Sequence, residues 1–297
     1  MGKLFTGYSA TLLTAAMLLV ACDTGTSTDT AAGSGSRPAV AGSSGESAPA
    51  ASDRADTPAA AAREIVAETL PYAEVEERLV YGYFVFPADM VDPLPGIILV
   101  HERWGLDDGT RGLADRLAAQ GYVVLAIDLF GGSVATDSEE SRKLILPVVE
   151  NQAIAEENIR QAYGFLLNTA QAPRIGAVGW SFGGNWALNT AMLFPNELDA
   201  AVIYYGQLTS SEERLGPVNV PILGIFGEND RGVTPDKVSE FEQVLETLGK
   251  TYQIETYPEV GHAFADPTGA NYDAAAAEQA WTEVVAFLGR HLAAGEE

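Results

Sequence analysis

A serine flanked by glycines, between a strand pattern and a helix pattern, restricts the fold of this chain more than any other feature. The run 174–178 is apolar after its first residue and predicts a buried strand, while 185–192 is typical of a helix. Between them, Gly179, Ser181 and Gly183 form the pattern Gly-x-Ser-x-Gly. Because glycine lacks the Cβ atom that would block a sharp strand-to-helix turn, the pattern predicts a turn that holds Ser181 exposed and strained.

This predicted turn suits a nucleophile. A serine hydroxyl attacks a carbonyl carbon only when a base removes its proton and hydrogen-bond donors stabilise the resulting oxyanion. Since Ser181 would stand where a helix begins, the free backbone amide of Phe182 is predicted to be the first such donor. The alternative is a glycine-rich turn with an incidental serine. The two differ in whether the chain also supplies a base and a carboxylate.

Strand and helix patterns alternate along the rest of the chain. Strands are predicted at 77–86, 96–101, 122–127, 200–205, 221–226 and 252–257, and helices at 110–120, 141–168, 235–248 and 272–292. Such alternation predicts an α/β fold with a mostly parallel central sheet and helices on both faces. Ligands bind at the carboxyl ends of the strands in such sheets. His101, Ser181 and the loops that follow Phe226 and Tyr257 are all expected there.

Three histidines are available to serve as the base. His291 falls in the last predicted helix, where a solvated surface position is expected. His101 ends an early predicted strand. His262 lies in a glycine-containing loop after the last predicted strand, from which an imidazole would reach the strand ends. His262 is therefore the predicted general base, with a loop cap or a core position as its alternative.

The carboxylate that orients the base is expected in the loop after the next-to-last predicted strand. That loop contains Asp230 and a competing acid, Glu228. A carboxylate fixes the tautomer of the imidazole and stabilises its protonated form. The chain order Ser181, Asp230, His262 puts each group on a successive strand-end loop and matches the order of the α/β-hydrolase triad. A turn-forming role is the alternative for Asp230.

Several segments of the sequence together resemble the dienelactone hydrolase family. They are 100–106, 114–124, 179–184, 204–206 and 261–264, in the family's order, within a match from about residue 77 to residue 292. The resemblance implies an α/β-hydrolase fold with Ser181, Asp230 and His262 as the catalytic triad. It also implies that the backbone amides of Phe182 and Arg103 form the oxyanion hole.

The sequence departs from the family pattern in two respects. Typical members use cysteine as the nucleophile, where this chain has Ser181, and the family's nearby glutamate is matched by Glu102, whose role beside a serine stays open. Typical members also hold the substrate's carboxylate with an arginine shortly after the histidine, where this chain has Asp266. An acid there would repel an anionic lactone, so a neutral or weakly charged ester is expected. Tyr205 is a further candidate for an accessory role.

Other functions of the same residues stay open at this point. The predicted triad could cleave an amide or a peptide or transfer an acyl group, and the fold could also belong to a non-catalytic binding lipoprotein. A metal site on His101 and Glu102 lacks an evident third ligand, and a single cysteine excludes an internal disulfide. No metal and no cofactor are therefore expected. Several aromatic residues could line an apolar pocket or belong to the core: Trp104, Phe182, Tyr205 and Phe264.

The N-terminal region predicts an anchor. An apolar run from 12 to 20 ends in Leu-Val-Ala-Cys at 19–22, which resembles the lipobox of bacterial lipoproteins. The expected organisation is a signal peptide at 1–21, a disordered tether at 22–66 that begins with the lipidated Cys22, and the hydrolase domain at 67–297. The domain is then expected in the cell envelope, outside the cytoplasm, with the choice between the inner and the outer membrane left open.

The charge of the chain limits its partners. The sequence has 41 acidic residues against 17 lysines and arginines, which gives a net charge of -24. Such a surface repels nucleic acid and anionic lipid headgroups. The expected partner is a small-molecule ester, with membrane contact only through the lipidated N-terminus. The sequence leaves the oligomeric state open.

Overall fold

The computed structural model describes residues 63–293 of the chain. The predicted signal peptide, Cys22 and the predicted tether as far as residue 62 lie outside the described residues. Within 63–293, no helix combines the length and the apolar character that a crossing of the lipid bilayer requires.

The described residues form an eight-stranded sheet and seven helices. The strands are β1 (Ile65–Val75), β2 (Arg78–Pro87), β3 (Gly96–Val100), β4 (Val123–Ile127), β5 (Ile175–Trp180), β6 (Ala200–Tyr204), β7 (Ile222–Gly227) and β8 (Tyr252–Tyr257). The helices are α1 (Asp108–Ala119), α2 (Ser138–Glu150), α3 (Gln152–Asn168), α4 (Phe182–Leu193), α5 (Glu212–Leu215), α6 (Pro235–Thr247) and α7 (Ala274–Leu292).

The sheet is mostly parallel. Its strand order is β1-β2-β4-β3-β5-β6-β7-β8; β2 pairs antiparallel with β1 and β4, and the remaining pairs are parallel. Every residue of β3, β4, β5, β6 and β7 is buried, so both faces of the central sheet are covered. This double burial explains why these strands are continuous apolar runs. The α/β-hydrolase fold predicted from the sequence is confirmed.

The strand register brings three site candidates to one edge of the sheet. Strands β3, β5 and β6 end within a residue of one another at their carboxyl ends. His101, Ser181 and Tyr205 directly follow these strands and therefore lie in a row along this edge. The helix α4 begins one residue after Ser181, which places its amino terminus in the same row.

Some elements differ from the sequence predictions. The strand β1 was not predicted. It begins at Ile65, two residues before the expected start of the domain. Its amino-terminal half is mostly exposed, so the sequence contains no apolar run there. The prediction of one helix at 141–168 was wrong, because the structure has two helices there. The helix α2 begins three residues earlier, capped by Asp137, and the backbone leaves helical geometry at Asn151, where α3 starts anew. The four-residue α5 is too short to produce a helical period and was also missed.

Candidate active site

Ser181 occupies the sharp turn between β5 and α4. Its backbone has φ 52° and ψ −112°, a strained conformation that costs a non-glycine residue about 1–3 kcal/mol. Its amide donates to the Tyr204 carbonyl at 2.9 Å. A Cβ on Gly179 would overlap the Gly183 carbonyl, and a Cβ on Gly183 would overlap the Val100 carbonyl. The glycines of the motif are therefore required by the close approach of α4 to β5 and to the end of β3.

Ser181, His262 and Asp230 form a continuous hydrogen-bonded chain. Ser181 Oγ lies 2.9 Å from His262 Nε2, and His262 Nδ1 lies 2.7 Å from Asp230 Oδ2. The second oxygen of the carboxylate, Oδ1, accepts hydrogen bonds from the amides of Gly232 at 2.7 Å and Val233 at 3.0 Å. The structure thus brings together the three residues that the sequence predicted as the nucleophile, the base and the carboxylate that orients the base.

The Asp230 carboxylate is held in its ionised form. Burial acts to raise its pKa, but the hydrogen bonds from His262, Val233 and Gly232 outweigh burial and lower the pKa below its ordinary value. The Asp230 side chain is fully buried, whereas 38% of the His262 side chain is exposed. An ionised Asp230 favours the tautomer of His262 with the proton on Nδ1. His262 Nε2 is then free to accept the hydroxyl proton of Ser181.

Two loops hold the carboxylate and the imidazole in contact. The Asn229 amide donates to the Val260 carbonyl at 2.9 Å, which ties the loop after β7 to the loop after β8. Asn271 Nδ2 donates to the carbonyl of His262, also at 2.9 Å. Sequence reasoning missed Asn271 because it lies nine residues further on in an irregular segment. The competing acid Glu228 is exposed and forms no hydrogen bond with His262.

The two amides predicted to form an oxyanion hole lie in adjacent backbone segments. Phe182 is the first residue of α4, so its amide has no intrahelical acceptor. Arg103 lies in the loop after β3, and this loop meets α4 at Gly183, where a Cβ would lie 2.7 Å from the His101 carbonyl oxygen. Within residues 63–293, neither amide donates a hydrogen bond to another residue. Both are therefore available to a ligand oxygen.

Glu102 and Tyr205, the accessory candidates, belong to the same group of side chains as His262. Burial, with the negative charge of Asp266 adding to it, raises the pKa of Glu102 from 4.5 to about 7. Burial, with the charge of Glu102 adding to it, also raises the pKa of Tyr205. The Tyr205 ring is fully buried and packs edge-on against His262, with ring centroids 5.1 Å apart. Its hydroxyl reaches no described residue at hydrogen-bond geometry.

A cavity of about 410 Å³ is lined by Glu102, but not by Tyr205 or His262. Its walls combine aromatic rings with carboxylates: Trp104, Trp180, Tyr204, Tyr272 and Trp281, and Glu102, Asp107, Asp108, Asp266 and Glu278. Its only arginine, Arg116, lies over the Trp281 ring and is 3.6 Å from Glu278. The cavity is therefore apolar in its rings and negative in its charged groups. Of the aromatic residues singled out in the sequence, Trp104 lines this cavity, and Tyr205 and Phe264 are fully buried core residues.

The other two histidines are engaged elsewhere. His101 is fully buried; its Nε2 accepts from the Leu129 amide at 3.1 Å, and its Nδ1 lies 2.6 Å from the Glu102 carbonyl oxygen. Neither nitrogen is therefore free to bind a metal ion, and the described residues contain no cluster of three metal-ligating side chains. His291 lies in the last turn of α7 and is partly exposed, as the expected surface position requires; one side of its ring packs against Phe287, with ring centroids 4.6 Å apart.

The strand order and the sharp turn after β5 place the chain among proteins of the α/β-hydrolase fold. Within that class the chain belongs to the dienelactone hydrolase family, whose model matches residues 80–292. This match confirms the family that the sequence motifs resemble.

Relatives and solved structures agree with this family. The chain is 29% identical to "Protein usf" of Aquifex pyrophilus, over 67% of this chain and 89% of that protein. It is 28% identical to a "Putative carboxymethylenebutenolidase" of Escherichia coli K12, over 70% of this chain and 81% of that protein. The "Putative Dienelactone Hydrolase" structure from Klebsiella pneumoniae is 26% identical, with a TM-score of 0.70 over 77% of this chain and 100% of that one.

Proposed function

We propose that this chain is a serine hydrolase that cleaves a carboxylic ester or lactone through an acyl-serine intermediate. Membership of the dienelactone hydrolase family makes the chain a carboxylic ester hydrolase. The observation that carries the serine mechanism is the hydrogen-bonded chain from Ser181 Oγ through His262 to Asp230, at 2.9 Å and 2.7 Å. These distances are the ones that a nucleophile, a base and an orienting carboxylate require.

Acylation uses the neutral imidazole. His262 Nε2 takes the hydroxyl proton as Ser181 Oγ forms a bond to the carbonyl carbon, and the carbonyl π electrons move to oxygen. The amides of Phe182 and Arg103 stabilise that oxyanion. As the carbonyl re-forms, the carbon–oxygen bond to the alcohol breaks, and the imidazolium of His262 returns its proton to the leaving alkoxide. Asp230 stabilises the imidazolium during both steps.

Deacylation repeats the sequence with water. His262 removes a proton from water as the water oxygen attacks the acyl carbon, and the two amides again stabilise the oxyanion. The bond to Ser181 Oγ then breaks, and Oγ recovers the proton from His262. His262 must therefore be neutral at the start of each half-reaction, because only a free Nε2 lone pair can accept the proton of the serine or of the water.

The cavity favours an ester without negative charge. Glu102 and Asp266 line its wall, and Glu102 is close enough to His262 for their charges to interact. Arg116, the only cation of the wall, is already paired with Glu278. A carboxylate on the substrate would be repelled by these groups, while an apolar acyl or alcohol group can pack on the tryptophan rings. The proposed substrate is therefore a neutral or weakly charged ester with an apolar group.

A fluorophosphonate label tests the proposal on the full-length protein. We expect stoichiometric labelling that maps to Ser181, is abolished in Ser181→Ala and is strongly slowed in His262→Ala. Ser138→Ala, an exposed serine at the start of α2, is the matched control and keeps full labelling. Absence of labelling in a folded protein would refute the serine mechanism.

A panel of paired aryl esters and anilides, assayed with and without an added acyl acceptor, then separates ester hydrolysis from amide hydrolysis and acyl transfer.

We also propose that the N-terminus tethers the enzyme to a membrane of the cell envelope. The support is the lipobox-like segment at 19–22 and the low-complexity stretch that follows it. Expression of the full chain in a bacterium, followed by detergent phase partitioning, tests this. The native protein is expected in the detergent phase and is expected to incorporate a labelled fatty acid. Cys22→Ala is expected to incorporate none and to keep its signal segment. Equal incorporation of the label by both would refute lipidation.

A further inference from the structure

His101 is a buried histidine that the proposed mechanism does not use. It directly follows β3, has no exposed surface, and its ring stacks on Phe182 with centroids 5.9 Å apart. The Leu129 amide donates to Nε2 at 3.1 Å. Because an amide can only donate, Nε2 must be unprotonated, and the neutral ring carries its proton on Nδ1. That proton is donated to the Glu102 carbonyl oxygen, at an N···O distance of 2.6 Å.

The partner on the other side of the ring is itself rigid. Leu129 belongs to the turn after β4, in which the Asp128 carboxylate accepts hydrogen bonds from the amides of Phe130, at 2.8 Å, and Gly132. The carbonyl of Asp128 accepts a further bond from Asn158 Nδ2 at 2.8 Å. The Leu129 amide is therefore fixed in direction, and it fixes the tautomer of His101.

A buried serine binds the next peptide along the chain. Ser141 lies in the first turns of α2 with no exposed surface. Its hydroxyl donates to the Arg103 carbonyl at 2.9 Å and accepts from Nε of the same arginine at 3.0 Å. The backbone and the side chain of Arg103 are thus both attached to one side chain. The sequence offered no signal for this contact, because 38 residues separate the two.

These contacts fix the direction of the Arg103 amide. In a trans peptide the N–H points opposite to the preceding C=O, so the bond from His101 to the Glu102 carbonyl also orients the N–H of Arg103. The Gly105 amide adds only a longer bond of 3.3 Å to that carbonyl. The Ser141 bond orients the peptide on the other side of the Arg103 Cα. The two side chains therefore hold the peptide planes before and after the residue whose amide is left free.

We propose that His101 and Ser141 are positioning residues that aim the Arg103 amide at the oxyanion of the reaction. The inference rests on the proposed serine hydrolase function and adds to it the source of the preorganisation. A hydrogen-bond donor stabilises a developing oxyanion best if it already points at the oxygen. If the donor must reorient during the reaction, the free energy of reorientation offsets the stabilisation. Loss of one oxyanion donor lowers kcat by about 100- to 1000-fold, so a loosened donor is expected to cost about 10- to 100-fold.

Variants of His101 separate positioning from packing. His101→Leu keeps an apolar side chain of similar reach but donates nothing to Glu102, and a loss of kcat of about 10- to 100-fold with little change in KM is expected. His101→Asn can place its amide nitrogen where Nδ1 lies, so it is expected to recover most of kcat. Packing alone predicts the opposite order, because leucine fills the buried site better than asparagine.

Variants of Ser141 provide an independent test with a smaller change. Ser141→Ala removes one hydroxyl and is expected to lower kcat by about 5- to 30-fold, with KM nearly unchanged. Ser138→Ala on the same helix is the matched control and keeps native kinetics. The second measurement is the inhibition constant of an aryl trifluoromethyl ketone, which forms an oxyanion when Ser181 adds to it. Its affinity is expected to fall by the same factor as kcat/KM.

The outcomes distinguish this inference from the proposed function. If native protein is not labelled at Ser181, the hydrolase mechanism itself fails. If native protein is labelled and active, but His101→Leu and Ser141→Ala keep native kcat and native ketone affinity while only their unfolding temperature falls, both residues are structural and the positioning role is refuted. Parallel losses of kcat and ketone affinity, with rescue in His101→Asn, support it.

Discussion

Asp230 binds the imidazole of His262 with one carboxylate oxygen, at 2.7 Å from Nδ1, while the amides of Gly232 and Val233 occupy the other oxygen. The carboxylate therefore has no freedom to rotate away from the ring. This relationship decides which nitrogen of His262 faces Ser181 with a lone pair. It explains how a half-exposed imidazole keeps one tautomer.

Replacement of Asp230 by asparagine tests the importance of that tautomer. The amide of Asp230→Asn can turn its NH₂ group towards His262, which reverses the tautomer and leaves a proton on Nε2 facing Ser181. A loss of kcat of about 10⁴-fold with an intact fold is expected. Steady-state kinetics and circular dichroism measure the two effects. Glu228→Gln in the same loop is the control, and an equal loss there would show that the charge of the loop, not the tautomer, is responsible.

Glu102 makes the stability of the fold depend on pH. Its pKa is about 7 in the folded protein against 4.5 for an unperturbed glutamate. Between these values the folded state holds a proton that the unfolded state has lost, so stability falls as the pH rises through this window. Glu102→Gln removes the unfavourable free energy of ionising a buried carboxyl. An increase of up to about 3 kcal/mol in the free energy of unfolding is therefore expected at pH 8.

Denaturant titrations at several pH values measure this effect. At pH 4 the native protein and Glu102→Gln are expected to differ little, because the carboxyl is then protonated in both states. The exposed Glu150→Gln on α2 is the control and is expected to show no such trend. A stability difference that does not change between pH 4 and pH 8 would contradict the raised pKa.

His101 is expected to stay neutral at a pH at which an unperturbed histidine begins to be protonated. Burial lowers the pKa of His101 below 6.5, although the bond to the Glu102 carbonyl acts in the opposite direction. The unfolded chain binds the proton first as the pH falls, so this residue makes the fold less stable below about pH 6.5. Nitrogen-15 NMR of labelled histidine measures the ring directly: we expect a neutral Nδ1–H form, unchanged from pH 8 to pH 5.5. A protonated ring at pH 6 would contradict it.

The sequence predicted the catalytic side of the fold better than its edges. The core strands and the turn at Ser181 were predictable because burial on both faces requires continuous apolar runs, and because backbone crowding at Gly179 and Gly183 permits only glycine. The strand β1 escaped detection because an edge strand with exposed residues carries no such run. The break at Asn151 was missed because helical residues lie directly on both sides of it: α2 ends at Glu150 and α3 begins at Gln152.

The contacts that support the site were less predictable than its reactive groups. Ser181, Asp230 and His262 belong to motifs whose chemistry restricts the residue type. Ser141 and Asn271 instead donate to backbone carbonyls, and many polar residues can do so from many positions. Their roles follow from three-dimensional proximity, which a single sequence does not encode in any local pattern.

Asp266 is expected to determine the charge preference of the enzyme. Its Oδ1 accepts from the backbone amide of Thr268 at 2.8 Å and from the hydroxyl of Thr268 at 2.7 Å, so Asp266→Asn keeps an acceptor for the loop while it removes a negative charge from the cavity. For a matched pair of aryl esters, one neutral and one with a terminal carboxylate, the ratio of kcat/KM is expected to shift about 5- to 10-fold towards the anionic ester.

High salt is expected to reduce the shift. Asp92→Asn, an exposed residue outside the cavity, is the control for net charge. An unchanged ratio in Asp266→Asn, or an equal shift in Asp92→Asn, would show that the cavity wall does not select against anionic substrates.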